Sequence, residues 1–372
     1  MQHVSARIGD PITEIDTPAL ILDLDAFERN LAKMAAFAQA AGIGLRPHAK
    51  THRCPTVALK QAEHGAVGQC CQKVGEAEVL VSAGIKDVQV TNQVVDLRKL
   101  RRLAALAKDA KVSLCFDDPE QVKLAAQAAG ELGVQLGGFV EIDLGMWRCG
   151  VAPGDAAADL AEMIAAAPGL TFTGLQAYQG RAQHLKGYAE RESAIDRAAQ
   201  SVQLTINAIE ARGLKCRTIG GGGTGTYAFE SRSKLWTELQ CGSYIFMDGE
   251  YAAIDGRDGG SYAEFEQSLF VLASVMSVAG QGRAIVDAGL KSYSLEKGLP
   301  TIHGQVGAKA VAVSDEHGTL ALGPGVHLPL GTRLKLVPSH CDPTVNLHDA
   351  YVCVRNDRVE AIWPIAARGA SS

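Results

Sequence analysis

Three short stretches of this 372-residue sequence carry residue types that can do chemistry. In LRPHAKTH (45–52), Lys50 stands between two histidines at the end of an apolar run that reads as a buried strand. An amine there is either a solvated surface group or a nucleophile held for a purpose. In GGGGTG (220–225), successive glycines let backbone N–H groups converge on an anion, and a helix N-terminus behind them would favour negative charge. A plain flexible turn is the alternative. In PSHCDPTVNLHD (338–349), His340 and Asp342 would share one face if they lie on a strand, with Cys341 on the other. One imidazole and one carboxylate then make a partial site for Mn²⁺, Mg²⁺ or Zn²⁺; an ordinary His–Asp hydrogen bond is the competing reading. His348 and Asp349 read as structural or surface groups.

Regular elements must position these residues. AFERNLAKMAAFAQAAG reads as a helix stopped by Gly42, with apolar residues every three or four positions. Strand candidates follow at 43–48, 66–71, 87–92, 111–117, 136–143, 170–178, 216–221 and, least clearly, 236–240. Alanine-rich helical stretches separate them. Such a strand–helix rhythm over roughly 220 residues is the signature of a (β/α)8 barrel, with a doubly wound open sheet as its rival. In a barrel, chemistry sits where strands lead into helices. Lys50 follows the first candidate strand, Gln72 and Lys73 the second, Asn92 the third, Asp117 and Asp118 the fourth. Asp143 and Arg148 follow the fifth, Tyr178 and His184 the sixth, and the glycine run the seventh. That many polar groups on one rim exceed what packing requires.

Beyond about residue 250 the runs become short, β-branched and separated by glycine turns, which predicts a second, mostly antiparallel β domain. The expected division is a barrel over 26–250 and a β domain over 251–372, with the segment 1–25 open to either joining the latter or standing apart. TPALILDLDA, before the first helix, fits either. A net charge of −5 without a long basic run argues against nucleic acid or an anionic membrane as partner. No apolar stretch approaches the ~20 residues of a membrane span. The N-terminus lacks the apolar core of a secretory signal, and nine cysteines show neither a disulfide framework nor paired zinc knuckles. A reducing cytoplasm is the expected setting.

The glycine run does not match G-x-x-x-x-G-K-[ST], and no acidic ribose partner follows at dinucleotide spacing. A phosphate on a small cofactor fits better. Barrels often hold phosphate after strands seven and eight. With a rim lysine opposite, the combination suggests pyridoxal phosphate (PLP), whose aldehyde takes a lysine amine while its phosphate sits in the loop.

DTPALILDLDAFERNL, RPHAKTH, CCQKVGEAE, GLQAYQG, GGGTG, ELQCGSYIFMD, VDAGLK, SDEHG and PSHCDPTVNLHD together resemble bacterial D-threonine aldolases. These group with D-serine dehydratases and β-hydroxyaspartate aldolases among the alanine-racemase-like PLP enzymes. The resemblance covers residues 14 to 369 and implies a barrel plus β domain. It also implies a head-to-tail homodimer whose active sites are completed across the interface. It implies Lys50 as cofactor lysine, Arg148 near the cofactor ring oxygen and Tyr178 facing the ring. Gly222, Gly223, Thr224 and Gly225, with Ser243 and Tyr244, would hold the phosphate. His340 and Asp342 would bind a divalent cation, Mn²⁺ first, with Mg²⁺, Co²⁺ or Zn²⁺ as alternatives, and His184 would be the base. D-serine dehydratase relatives tend to carry cysteine where Asp342 stands, which favours the aldolase branch. The implied substrate is a D-β-hydroxy-α-amino acid such as D-threonine, cleaved to glycine and an aldehyde; D-3-hydroxyaspartate, then dehydration, are the alternatives. Racemisation would need a second base, for which Tyr293 is a conceivable residue. Met146, Trp147 and Arg181 depart from the family pattern. Arg181 is either solvated or poised for a second substrate carboxylate; the two bulky residues either reshape the pocket or fill core.

Overall fold

Between residues 43 and 240 the apolar runs form strands and the alanine-rich stretches form helices. The computed structural model describes residues 5–372, so the first four residues of the expected 1–25 segment lie outside it. Two compact units emerge. One comprises Met34–Lys50, Pro55–Gly242 and Ala370–Ser372; the other comprises the described residues up to Lys33, Thr51–Cys54 and Ser243–Gly369.

Strand β1 (Ala19–Asp23) belongs to the second unit. The first unit contains β2 (Gly44–Leu45), β3 (Gln69–Cys71), β4 (Asp87–Val90), β5 (Lys111–Phe116), β6 (Leu136–Glu141), β7 (Leu170–Gln176), β8 (Thr218–Gly221) and β9 (Glu238–Leu239). All eight pair in parallel, in the order β2-β9-β8-β7-β6-β5-β4-β3. The two edges then meet: His48 forms a parallel bridge with Cys70, Ala49 N–H donates to Cys70 O at 2.7 Å, and Cys70 N–H donates to Pro47 O at 2.8 Å. The sheet is a (β/α)8 barrel, as its rhythm predicts.

The helices start and stop where side chains satisfy their ends. Asp96 accepts the N–H groups of Arg98 and Lys99 to open Leu97–Leu106. Asp118, with Pro119 in the first turn, opens Pro119–Leu132, and Gly133 closes it at φ 63°. Val88, Val90, Val112, Leu114, Phe116, Leu136 and Val140 pack outward with helical residues such as Leu100, Leu103 and Ala125 in one apolar cluster.

The opposite face of the sheet is polar. Gln89 on β4, Gln176 on β7 and Gln240 after β9 bond to one another at 2.7–3.3 Å, although these strands are not all neighbours. Side chains from such separated strands meet only by crossing the barrel interior. Nearer the strand N-termini, buried Arg46 binds Glu238 through Nε at 2.7 Å and Asp87 through Nη1 at 2.7 Å. Burial opposes the guanidinium charge, but these two carboxylates hold it well above the ordinary arginine value.

In the second unit, β10 (Leu269–Ser277), β11 (Arg283–Val286), β12 (Thr301–Ile302), β13 (Ala308–Val313), β14 (Gly318–Leu322), β15 (Arg333–Val337), β16 (Ala350–Arg355) and β17 (Arg358–Pro364) form one sheet with β1. Its main path is β13-β14-β11-β10-β1-β16-β17, with β15 on β10 and β12 on β15. Every pair is antiparallel except β1 with β16. TPALILDLDA thus supplies a strand to this unit, where Ile21 packs with Phe270, Leu272 and Val352.

Replacing Arg46 with Leu should leave the half-buried Glu238 and Asp87 without the guanidinium between them, although Asp87 keeps Lys111 at 3.2 Å. Loss of these charged hydrogen bonds should cost about 1.5–3 kcal/mol, read as a lower urea midpoint. An unchanged midpoint would remove this cluster from the account of barrel stability.

Candidate active site

Lys50 occupies the turn that follows closure of the barrel and is half-buried. Its N–H donates to His48 Nδ1 at 3.3 Å. The other ring nitrogen, Nε2, lies 3.0 Å from both Thr91 Oγ1 and Gln72 Nε2. His48 braces the turn that presents the lysine. His52, in the other unit, accepts Cys54 N–H on Nδ1 and offers its carbonyl to the Tyr351 hydroxyl.

Arg148 lies on the loop after β6. Asp143 Oδ1 accepts the N–H groups of Gly145 and Met146 at 2.8 Å, and Asp117 Oδ2 accepts that of Gly150 at 2.9 Å, so both ends of the loop are pinned. Arg148 Nη2 stands 3.8 Å from Glu141 Oε1. Glu141 ends β6, is buried, and accepts from Gln93 Nε2 at 2.6 Å. Burial raises its carboxyl above the usual range, against the pull of Gln93 and Arg148. Trp147 points outward, 86% exposed. Met146 does pack: a Cβ on Gly180 would lie 2.7 Å from the Tyr178 ring and 2.8 Å from the Met146 methyl.

Tyr178 follows β7, and the next turn, the 3-10 helix Gly180–His184, carries Arg181 and His184, both exposed. The glycine run follows β8. Gly222 adopts φ +80°, and a Cβ on Gly223 would lie 2.5 Å from the Gln183 carboxamide. The helix behind the loop, Tyr227–Ser233, is only seven residues long, so the expected dipole contribution gives way to the loop's own N–H groups. Of these, Gly225 N–H is engaged by Gln183 Oε1 at 2.9 Å. The residues present fit PLP: an amine on one strand end and, on the same rim, a glycine loop after β8 with Gly222 at φ +80°. Lys50, Arg148, Tyr178, His184 and Gly222–Gly225 all leave C-terminal strand ends of this one barrel.

Ser243, Tyr244, His340 and Asp342 belong to the other unit. Ser243 and Tyr244 are buried in a single 3-10 turn, Tyr244 edge-on to Phe265. His340 and Asp342 do not lie on a strand as the alternation argument supposed. His340 is extended, but the chain turns at once into the helix Cys341–Val345. Pro343 suits that first turn because it lacks an N–H that would otherwise go unsatisfied. The pair is adjacent all the same, with His340 Nε2 3.9 Å from Asp342 Oδ2. His340 Nδ1 lies 2.8 Å from Glu296 Oε2. A carboxylate only accepts, so Nδ1 donates to Glu296 and the ring is turned with Nε2 toward Asp342. Among the described residues no group of three or more His, Cys, Asp or Glu side chains is poised for a metal. A cation here would have two protein ligands and open positions, the donor set of a site that also takes substrate or water. His348 instead binds Ser292 O at 2.7 Å, and Asp349 pairs with Arg368. The Tyr293 hydroxyl donates to Ala288 O, and burial pushes it up to about 12, so it offers no ready base for racemisation.

The barrel matches the family model for the alanine racemase N-terminal domain over residues 22–250, and the β unit matches a putative serine dehydratase domain over 268–354. Fold and site thus define a PLP enzyme of the alanine-racemase type. A 3-hydroxy-D-aspartate aldolase of Paracoccus denitrificans is 48% identical over 370 residues, covering 98% of this chain and 95% of that one. A D-threonine aldolase of an Arthrobacter species is 47% identical over 367 residues, covering 98% and 96%. The crystal structure of D-threonine aldolase from Filomicrobium marinum superposes with a TM-score of 0.97 at 46% identity, covering 99% of this chain and 100% of that one. The chain belongs to the family of D-threonine and 3-hydroxy-D-aspartate aldolases.

Several polar residues of the site have no local sequence signature. Gln93 and Glu141 support Arg148, Glu296 orients His340, and Gln183, Thr226 and Glu230 line the underside of the glycine loop. Glu230 is fully buried, accepts from Thr226 Oγ1 at 2.8 Å, and is raised by burial to about 7. A carboxyl whose folded value lies above its unfolded one stabilises the fold at low pH and loses that contribution as pH rises through 7. The loss amounts to roughly 3 kcal/mol. Glu230→Gln should flatten the fall in melting temperature between pH 5 and pH 8 (on the order of this window); an unchanged slope would assign the titration elsewhere.

Proposed function

We propose that this chain cleaves D-β-hydroxy-α-amino acids of the D-threonine type to glycine and an aldehyde, using PLP and a divalent cation. The observation that carries the reading is the half-buried Lys50 on the same barrel rim as the Gly222–Gly225 loop. Full-length relatives named for the two aldolase reactions support it.

Lys50 Nζ would bind the cofactor covalently. Gly222, Gly223, Thr224 and Gly225, with Ser243 and Tyr244, would hold its phosphate, Arg148 its ring oxygen, and Tyr178 a ring face. When bound, PLP supplies the electron sink that takes up the electron pair of the breaking Cα–Cβ bond. A divalent cation held by His340 and Asp342, Mn²⁺ by preference, would supply Lewis acidity toward the substrate hydroxyl. His184 would accept the hydroxyl proton, an imidazole being suited to proton transfer near neutrality. Arg148 and Tyr178 would orient the reacting groups, and the apolar cluster behind the rim keeps the strand ends rigid.

A homodimer in a reducing cytoplasm completes the proposal. All nine cysteines are free thiols, seven of them buried, as a reducing compartment allows. No helix of the described residues is long and apolar enough to cross a membrane. A second reading, cleavage of D-3-hydroxyaspartate to glycine and glyoxylate, is favoured by the exposed Arg181 on the helix that carries His184. Arg181→Ala should then lower kcat/KM for D-3-hydroxyaspartate at least ~10-fold more than for D-threonine, as loss of a charged contact does. Equal losses would leave Arg181 a solvated residue.

Incubation with D-threonine and Mn²⁺ should give glycine and acetaldehyde in equal amounts. Ammonia and a keto acid instead would mark a dehydratase. Chelation should abolish turnover while leaving the cofactor's visible absorbance, and Mn²⁺ should restore it; full activity in the chelated enzyme would remove the cation from the mechanism.

A further inference from the structure

The barrel rim contains one side chain that belongs to two functional segments at once. Gln183 is 3% exposed although its neighbour His184 in the 3-10 helix is exposed. Its Nε2 donates to Thr226 Oγ1 at 2.7 Å, and its Oε1 accepts Gly225 N–H at 2.9 Å. Both partners lie in the glycine loop. The Thr226 hydroxyl spends its hydrogen on Glu230 Oε1 at 2.8 Å, so it must accept from Gln183. The polarity of the amide is therefore set from both ends: a donor toward Thr226 and an acceptor toward Gly225. Neither a carboxylate nor an apolar side chain meets both demands.

The loop also lies flat on this amide, since a Cβ at Gly223 would come within 2.5 Å of it. At the start of the same 3-10 helix, Gln179 Oε1 accepts Arg181 N–H at 3.1 Å and its Nε2 donates to Leu144 O. Two glutamines thus fix the helix that presents His184, and the second fixes it to the glycine loop.

We propose that Gln183 is a positioning residue that couples the phosphate-holding loop to the placement of His184. A phosphate seated on the loop sets the conformation of Gly223–Gly225, and Gln183 transmits that setting to the adjacent histidine. The proposal rests on the reading of the loop as the phosphate site and of His184 as the base. It adds that neither works independently of the other.

The test compares Gln183→Met, which keeps volume and loses both bonds, with Gln183→Glu, which keeps size and the acceptor but loses the donor. Cofactor affinity is titrated by absorbance with PLP and with pyridoxal, which lacks the phosphate. Steady-state kinetics follow at saturating PLP across pH. Both variants should bind PLP about 10-fold more weakly, as the loss of one or two buried hydrogen bonds implies, while pyridoxal affinity stays as in the parent enzyme. At saturating PLP, kcat should fall about 10-fold with KM nearly unchanged, and the acid limb of the kcat profile should shift. A parental kcat at saturation overturns the coupling, whether or not PLP affinity falls, and so does an equal loss of PLP and pyridoxal affinity. His184→Asn, assayed in parallel, separates the two failures. If it keeps full kcat, the base assignment fails. If it is inactive while Gln183→Met keeps parental kcat, only the coupling fails.

Discussion

The barrel rim depends on the absence of side chains along Gly220–Gly223. At Gly220 the space a Cβ would fill is held by the Gln240 carboxamide, and at Gly221 by the carbonyl of Ala177 and the Trp236 indole. At Gly223 it is held by Gln183. Each close approach ties a different part of the barrel to β8: the interior amide layer, the end of β7, and the helix bearing His184. An added methyl at Gly221 would meet the backbone carbonyl of Ala177, and at Gly220 or Gly223 it would have to displace a hydrogen-bonded glutamine carboxamide. The glycine run is therefore more than a soft turn over an anion. It is the seam along which the site is drawn tight.

A polar interior follows from the same design. Gln89, Gln176 and Gln240 satisfy one another across the barrel, and Arg46 is neutralised by Glu238 and Asp87 near the strand N-termini. A buried amide layer of this kind is stable only if fully paired, which restricts side-chain movement beneath the rim. Rigidity there suits a site whose proposed chemistry depends on orientation more than on a single strong acid or base. In the other unit, His340 is oriented through Glu296, which turns Nε2 toward Asp342.

The barrel was legible from the sequence because each strand is a short apolar run between alanine-rich helical stretches. Strand limits were less so. IGLRPH reads as a six-residue strand, yet β2 is Gly44–Leu45 alone, because Pro47 has no N–H to give to a ladder. The assignment of Ala19–Asp23 to the β unit depends on pairing with β10 and with β16, near the other end of the chain, which no local pattern reveals. Lys50 and the glycine run stood out because their residue types are unusual for their places. His340 and Asp342 stood out as well, but strand alternation was the wrong geometry: the helix Cys341–Val345 begins there, with Pro343 in its first turn. Gln93, Gln183, Glu230 and Glu296 escaped notice for a common reason. Each matters through a partner on a different element, and an isolated glutamine or glutamate reads as a solvated residue.

The account stands or falls on Lys50 as the covalent seat of the cofactor. Borohydride reduction of the PLP-loaded protein, followed by digestion and peptide mass spectrometry, reads that bond directly. The account predicts one stable pyridoxyl-phosphate addition, on the lysine of the peptide containing RPHAK. Modification centred on another lysine, or none despite visible cofactor absorbance, would contradict it.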